Sequence, residues 1–292
     1  MTIPPREEPS GRSEPSKEPP KRVVPILTLA SHAPERRHIA TEEETADERR
    51  LAGMRAHFAR RPWATWVILS VIVLMFALEE ALGGSEDDVV LVRLGAWVAG
   101  EIQLGAWWRL VSAGFLHAGL LHVGFNGYAL WIVGSSVERI LGTARFLVVY
   151  TVSLLVGGLA SLVLSNADVA VGASGAIFGL FGVEAIVVFL RPDLLPSHIR
   201  QTHGRNVLVN LAINVIASFQ PNIGTVAHFA GGLAGAALAL VFVPHRFELH
   251  PTTPSWARSA AVVCALLLAT GLGYALFHAT QSSGEVAVLR VM

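Results

Sequence analysis

Beyond residue 62 the chain is a succession of apolar stretches separated by short polar or basic breaks. The first runs from Trp63 to Leu82, and the second lies within the 28 residues between Arg109 and Glu138, which hold no Asp, Glu, Lys or Arg. A third fills Phe146 to Leu164, and a fourth begins near Ser174 and stops at Leu190, before Arg191-Pro192. The 40 residues between Arg205 and Arg246 are again free of these charges and are broken by Gln220-Pro221-Asn222. They hold two spans only if the fifth is short or begins near Arg205, and Asn206, Asn210 and Asn214 make that fifth span polar. A seventh covers Ala257 to Phe277. The pattern predicts an all-α, polytopic membrane helical bundle of seven spans.

The N-terminal residues differ. Pro4, Pro5, Pro9, Pro15, Pro19, Pro20 and Pro25 alternate with charges and Ser, so residues 1–40 are expected to be a disordered, Pro- and charge-rich tail. From Thr41 a capping box with Glu44 and the spacing of Leu51, Met54 and Phe58 among arginines predict a basic amphipathic helix over 41–61. Such a helix lies on an anionic membrane face; a solvated helical linker is the alternative reading.

Composition changes the picture by exclusion. Apolar residues make up 52% and charged ones 15% of the chain, against about 25% charged in soluble domains. Residues 1–61 already hold 12 of the 22 basic and 10 of the 22 acidic side chains. The remaining 231 residues could not cover a soluble surface, which excludes an ordinary cytosolic enzyme. A single cysteine, Cys264, excludes an intrachain disulfide framework and a Cys-based metal cluster. Balanced charge argues against nucleic acid as a partner and leaves the lipid bilayer.

Basic residues set the expected orientation. With a cytoplasmic N-terminus the inner flanks carry Arg55, Arg60, Arg61, Arg139, Arg145, Arg191, Arg200, Arg205, Arg246 and Arg258. The outer segments carry only Arg93, Arg109 and Arg290, so the C-terminus is expected outside. No apolar stretch follows the initial Met, so a cleaved signal peptide is not expected and a bacterial inner membrane is the simplest host. The first outer segment, residues 83–117, contains Trp97, Trp107 and Trp108 and is expected to be partly submerged at the interface.

Polar residues inside apolar spans carry the chemistry, because each costs free energy unless it is paired or used. His122 and Asn126 lie in span two, Ser174 at the start of span four and His228 near the start of span six. These three spans run in the same direction, so the four residues fall in one layer, within two turns of the outer surface. Gly172-Ala173-Ser174-Gly175 places a hydroxyl between glycines at a helix N-terminus, where free N–H groups favour developing negative charge. A neutral His activates such a serine as nucleophile, and His122 and Asn126, at i and i+4, can donate to an oxyanion. Gly175, Gly179 and Gly182 on span four and Gly231 and Gly235 on span six form small-residue faces that let the two helices approach.

Taken together, Trp108-Arg109, His117-x4-His122-x3-Asn126, Gly172-Ala173-Ser174-Gly175 and Ala227-His228-x2-Gly231-x3-Gly235 resemble the rhomboid intramembrane serine proteases over residues 62–245. The resemblance implies a six-helix core, with residues 246–292 adding a C-terminal seventh transmembrane helix and short outer tail. It implies a serine endopeptidase that cuts transmembrane segments of other membrane proteins, without cofactor or metal. Ser174 would be the nucleophile and His228 its base, a dyad without an acid. His122, Asn126 and the Ser174 N–H would line the oxyanion hole. His117, Trp108, Arg109 and Glu138 would give structural support, as would Gly172, Gly175, Gly231 and Gly235.

Each residue also has a bland reading. Ser174 alone would be a helix cap, His228 an interhelical hydrogen-bond partner, Asn126 packing glue, and Trp108-Arg109 interface anchors. A non-catalytic rhomboid-like protein that binds membrane clients is the alternative function. A transporter using Glu184, Asn210 and Asn214 as a polar path is a third. Glu184, ten residues below Ser174, is expected to pair with Asn210 or Asn214 or to snorkel inward. His198, His203, His245 and His250 are expected to be solvated. His117 and His122, five apart, are expected on different helix faces, which argues against a metal pair. No His-Glu-x-x-His occurs, which disfavours a zinc protease.

Overall fold

The computed structural model describes residues 42–191, 194–195, 197–217, 224–243 and 252–281. The Pro-rich tail, Thr41 of the capping box, the Gln220-Pro221-Asn222 break, His245, His250, Arg246 and Arg290 lie outside these residues, as do the side chains of Glu44, His198 and Arg200.

The described chain is an all-α bundle. Helix α1 (Glu42–Phe58) leads through Arg60 and Pro62 to the apolar α2 (Trp63–Ala81). The first long loop contains α3 (Asp88–Leu94), the two-residue strand β1 (Trp97–Val98), α4 (Ala99–Gln103), α5 (Arg109–Ser112) and a 3-10 turn, Ala113–Phe115. Helix α6 (Leu120–Ala129) continues through a π-helical segment, Leu130–Gly134, into α7 (Ser135–Leu141). Then come α8 (Thr143–Leu164), strand β2 (Val169–Ala170) and α9 (Ser174–Ala185), the last extended by π-helical Ile186–Leu190. Helices α10 (Ser197–Ala217), α11 (Thr225–Phe242) and α12 (Ser255–Gln281) complete it.

Among the described residues, four stretches are long and apolar enough to cross a membrane: Leu51–Ala81, Thr143–Leu164, Thr225–Phe242 and Ser255–Gln281. A shorter apolar helix, Ser174–Leu190, sits among them and is buried almost all round, from Gly175 to Glu184. A helix apolar on every side belongs in the centre of a bundle. Around it, Leu74, Leu121, Val163, Leu233 and Val241 turn outward and are exposed, as lipid-facing side chains are. The chain is an integral, multi-pass membrane protein.

Two features depart from the sequence pattern. The buried face of α1 carries Gly53 and His57, while Leu51 and Phe58 are exposed; His57 Nδ1 lies 3.3 Å from the Ile140 carbonyl. Helix α10 begins at Ser197, eight residues before Arg205, so the basic segment is itself helical.

Buried polar contacts fix the ends of the helices. Helix α2 starts at Trp63 with no local side-chain cap. Glu138 of α7 supplies it from afar, accepting from the N–H groups of Ala64 (3.0 Å) and Thr65 (2.8 Å) and from the Thr65 hydroxyl (2.8 Å). Its other neighbour is Thr143 Oγ1, which donates at 2.7 Å, so one carboxylate joins three helices. In the first loop Arg109 donates from Nη1 to the carbonyls of Val92 (2.9 Å) and Ala96 (2.8 Å), with its guanidinium 4.7 Å from the centre of the Trp108 ring. Trp97 and Trp108 are buried within the protein, whereas Trp107 is exposed.

The C-terminal helix is built into this loop. The Trp108 ring lies parallel to His278 at 5.6 Å and tilted against Tyr274 at 5.8 Å, and Arg93 Nε donates to the Ala279 carbonyl at 3.0 Å. At Gly271 an added Cβ would meet Val111 Cβ at 2.7 Å, a contact only glycine permits. Substituting Gly271→Leu is therefore expected to lower stability in detergent by roughly 1–3 kcal/mol. Gly273→Leu, where a Cβ meets nothing within 4 Å, should leave the thermal unfolding midpoint unchanged.

Candidate active site

Ser174 is the first residue of α9, and His228 lies one turn into α11. The hydroxyl oxygen of Ser174 is 2.6 Å from Nε2 of His228. Helix α9 brings the serine to the mouth of the bundle with its first N–H groups unused by the helix ladder. Helix α11 brings the imidazole from the side.

Glycine makes that approach possible. A Cβ at Gly231 would collide with the Gly175 carbonyl oxygen, and one at Gly235 with the Gly179 carbonyl oxygen. Gly182 is pressed in the same way against the Gly232 carbonyl. The two main chains are thus in direct contact along three turns. Helix α8 closes in at the same place: a Cβ at its Gly157 would stand 2.8 Å from the Ala227 carbonyl of α11.

The imidazole is held in plane. Phe178, one turn after Ser174 on α9, stacks on His228 with ring centres 4.3 Å apart and planes 8° from parallel. His228 is buried and Ser174 half-buried. Phe178 escapes sequence reading, because an aromatic in an all-apolar helix looks like ordinary core.

His122, the third residue of α6, lies against the loop before Ser174. Gly172 has φ +124°, a conformation that L side chains rarely adopt, and a Cβ there would lie 2.8 Å from His122 Nε2 and 3.7 Å from Ser174 Oγ. The Gly172 N–H donates to the Ala113 carbonyl at 2.8 Å, and β2 pairs antiparallel with β1, Trp97 opposite Ala170. These bonds tie the loop before Ser174 to the first long loop. A cavity of about 750 Å³ opens here, lined by His122, Gly172, Ser174, Trp97, Gly158 and Ala227 among others, with Asp88, Asn166 and Asp168 also on its wall.

Asn126 is buried one turn further in, and its amide donates to the His122 carbonyl at 3.1 Å. It does not line the cavity. His117 precedes α6 rather than sitting in it, so the helix-face argument does not apply. Its ring meets the His122 ring edge-on at 5.1 Å. Among the described residues no three His, Cys, Asp or Glu side chains are grouped as a metal site.

The Rhomboid domain profile matches residues 104–245. The chain is 39% identical over 183 residues to rhomboid protease GluP of Bacillus subtilis, covering 62% of this chain and 35% of that protein. It is 30% identical over 207 residues to rhomboid-like protease 3 of Toxoplasma gondii, covering 70% of this chain and 77% of that one. The chain belongs to the rhomboid family. It is also 32% identical over 184 residues to rhomboid protease GlpG of Klebsiella pneumoniae, covering 62% and 63% of the two chains. The first of these relatives is much longer than the region matched, so the rhomboid described here spans about a third of it.

Deeper in this rhomboid, Glu184, Asn210 and Asn214 are partnered separately. Glu184 is fully buried and pairs at 2.7 Å with His203 Nε2 of α10, not with Asn210 or Asn214. Those two amides donate to carbonyls of their own helix, Asn206 and Asn210, at 2.8 Å each. His203 is not solvated, because α10 starts early enough to carry it into the bundle. Its side chain is 25% exposed, and it ties a sparsely packed helix to α9.

Gly231→Ala must push α11 off α9 and lengthen the distance from Ser174 to His228. We expect destabilisation of about 1–3 kcal/mol. Reaction of Ser174 with a serine-directed reagent should fall by at least roughly ten-fold, which is about 1.4 kcal/mol in the barrier. Thermal unfolding and labelling rate, measured on the same preparation, check both.

Proposed function

We propose that the protein is an intramembrane serine endopeptidase that hydrolyses a peptide bond in or beside a transmembrane segment of another membrane protein. The observation that carries this reading is the 2.6 Å contact between Ser174 Oγ and His228 Nε2. It stands in a chain of the rhomboid family whose relatives are named proteases.

Ser174 attacks the scissile carbonyl as His228 Nε2 takes its proton, and the same imidazole later delivers that proton to the leaving amine. Parallel stacking on Phe178 keeps Nε2 aimed at the hydroxyl through both steps. The oxyanion forms between the Ser174 N–H at the α9 N-terminus, His122 and Asn126, whose amide also donates to the His122 carbonyl. Single donors of this kind are worth about 2.7–4 kcal/mol in other enzymes. Trp108, Arg109, His117 and Glu138 hold the loop and helix ends that set these distances, and Gly172, Gly175, Gly231 and Gly235 permit the close backbone approaches.

A helical substrate hides its scissile amide in hydrogen bonds, so it must unwind locally to reach Ser174. Small or helix-breaking residues near the cut make that unwinding easier. The positive-inside pattern supports a cytoplasmic N-terminus, and a bacterial inner membrane is the host this reading takes. The dyad then lies near the outer face, where water enters through the cavity.

Cleavage of a fluorogenic transmembrane substrate by purified protein in detergent tests the reading. Wild type should cut, while Ser174→Ala and His228→Ala should each lose at least about 1,000-fold with fold retained. A substrate whose small residues are replaced by a leucine run should resist. Cleavage that survives Ser174→Ala contradicts the reading. No cleavage of any of several substrates by wild type moves the assignment to client binding.

A further inference from the structure

Besides Glu184, which pairs with His203, a second fully buried carboxylate has no part in the mechanism. Glu79 lies on the inward stripe of α2, after Ile68, Ile72 and Met75 at helical spacing, where an apolar residue would be expected. Its side chain has no solvent exposure. Glu80 turns outward and accepts from the Ser85 N–H at 3.2 Å, an ordinary helix-end contact. Glu79 instead reaches across to the turn before α6, where Oε1 accepts the main-chain N–H of His117 at 3.1 Å. Its second oxygen, Oε2, has no hydrogen-bond partner among the described residues.

One amide is poor compensation for burying a carboxylate, which costs several kcal/mol before its partners are counted. Apolar packing at the end of a stripe would be cheaper. What the carboxylate holds gives the reason. Residues 116–119 are the short link between the 3-10 turn and α6, bent by Gly119 at φ +89°. The His117 ring is wholly buried and stands edge-on to the His122 ring at 5.1 Å. His122 in turn faces Gly172, two residues from Ser174. Fixing the His117 amide therefore fixes the wall against which the His122 imidazole is aimed.

We propose that Glu79 is a positioning residue for the oxyanion pocket. It acts as a hydrogen-bond acceptor on the His117 main chain and sets the orientation of His122 through the His117 ring. The inference rests on the protease reading for its kinetic consequence, but not for its structural one. It makes a specific demand on chemistry: an acceptor is needed at Oε1, so Gln can serve and Leu cannot.

The test compares wild type, Glu79→Leu, Glu79→Gln, His122→Ala and the Glu79→Leu/His122→Ala double variant. Glu79→Leu should lower kcat by about 10–100-fold with KM within about two-fold, as loss of a transition-state contact does. Glu79→Gln should restore most of it. In the His122→Ala background the Leu substitution should cost less than about two-fold further, because two residues acting through one contact are not additive. Losses that multiply, or a folded Gln variant as impaired as Leu, overturn the proposal. Hydrogen–deuterium exchange of the peptide containing His117 is read on the same proteins and needs no activity. Faster exchange in Leu but not in Gln is expected, and unchanged exchange in Leu overturns the proposal even if wild type cleaves nothing. A wild type that cleaves, with Ser174→Ala inactive, keeps the protease reading intact whatever becomes of Glu79.

Discussion

Helices α9 and α11 approach until their main chains touch, because glycine stands at each crossing point: Gly175 and Gly179 on one, Gly231 and Gly235 on the other. In a bilayer no hydrophobic force drives one apolar helix onto another, so packing at van der Waals distance must do it. That contact fixes the separation of the Ser174 hydroxyl and the His228 imidazole at a hydrogen bond. The Phe178 ring fills the remaining space beside His228 and removes its rotational freedom. The chemistry of the site thus follows from a packing constraint rather than from a network of charges.

Around this contact, buried charges hold main-chain groups. Glu138 caps α2 from α7, Arg109 gathers two loop carbonyls, and Glu79 takes the His117 amide. Each supplies a hydrogen bond to backbone groups at helix ends and turns, where water is excluded. They share a purpose: connecting turns, otherwise the softest parts of a membrane bundle, are set as firmly as the helices. Helix α12 adds to this, since Trp108 and Arg93 of the first loop both lean on it.

Much of this was legible in the sequence. Charge-free runs located the long apolar helices to within a few residues, and Ser174 and His228 stood out because a polar side chain in such a run is costly. The glycine spacing on the two helices implied their approach. The rest was hidden for physical reasons. Glu79 sits at a helix end beside Glu80 and looks like a solvated boundary. His203 lies in a basic stretch that reads as a loop, although α10 begins earlier and brings it to Glu184. Helical geometry does not hold for His117, because α6 starts three residues later, and the turn lets two rings five positions apart meet. Side-chain pairing across a turn or between distant helices leaves no periodic trace in one chain.

Ser174 is proposed to be a nucleophile made reactive by His228. Covalent capture measures this without needing a substrate. The purified protein, in detergent, is incubated with a fluorophosphonate, and the modified residue is located by peptide mass spectrometry. One adduct is expected, on Ser174, forming at least about 100-fold more slowly in His228→Ala. An adduct on another residue, or equal labelling of Ser174 in the two proteins, would contradict it.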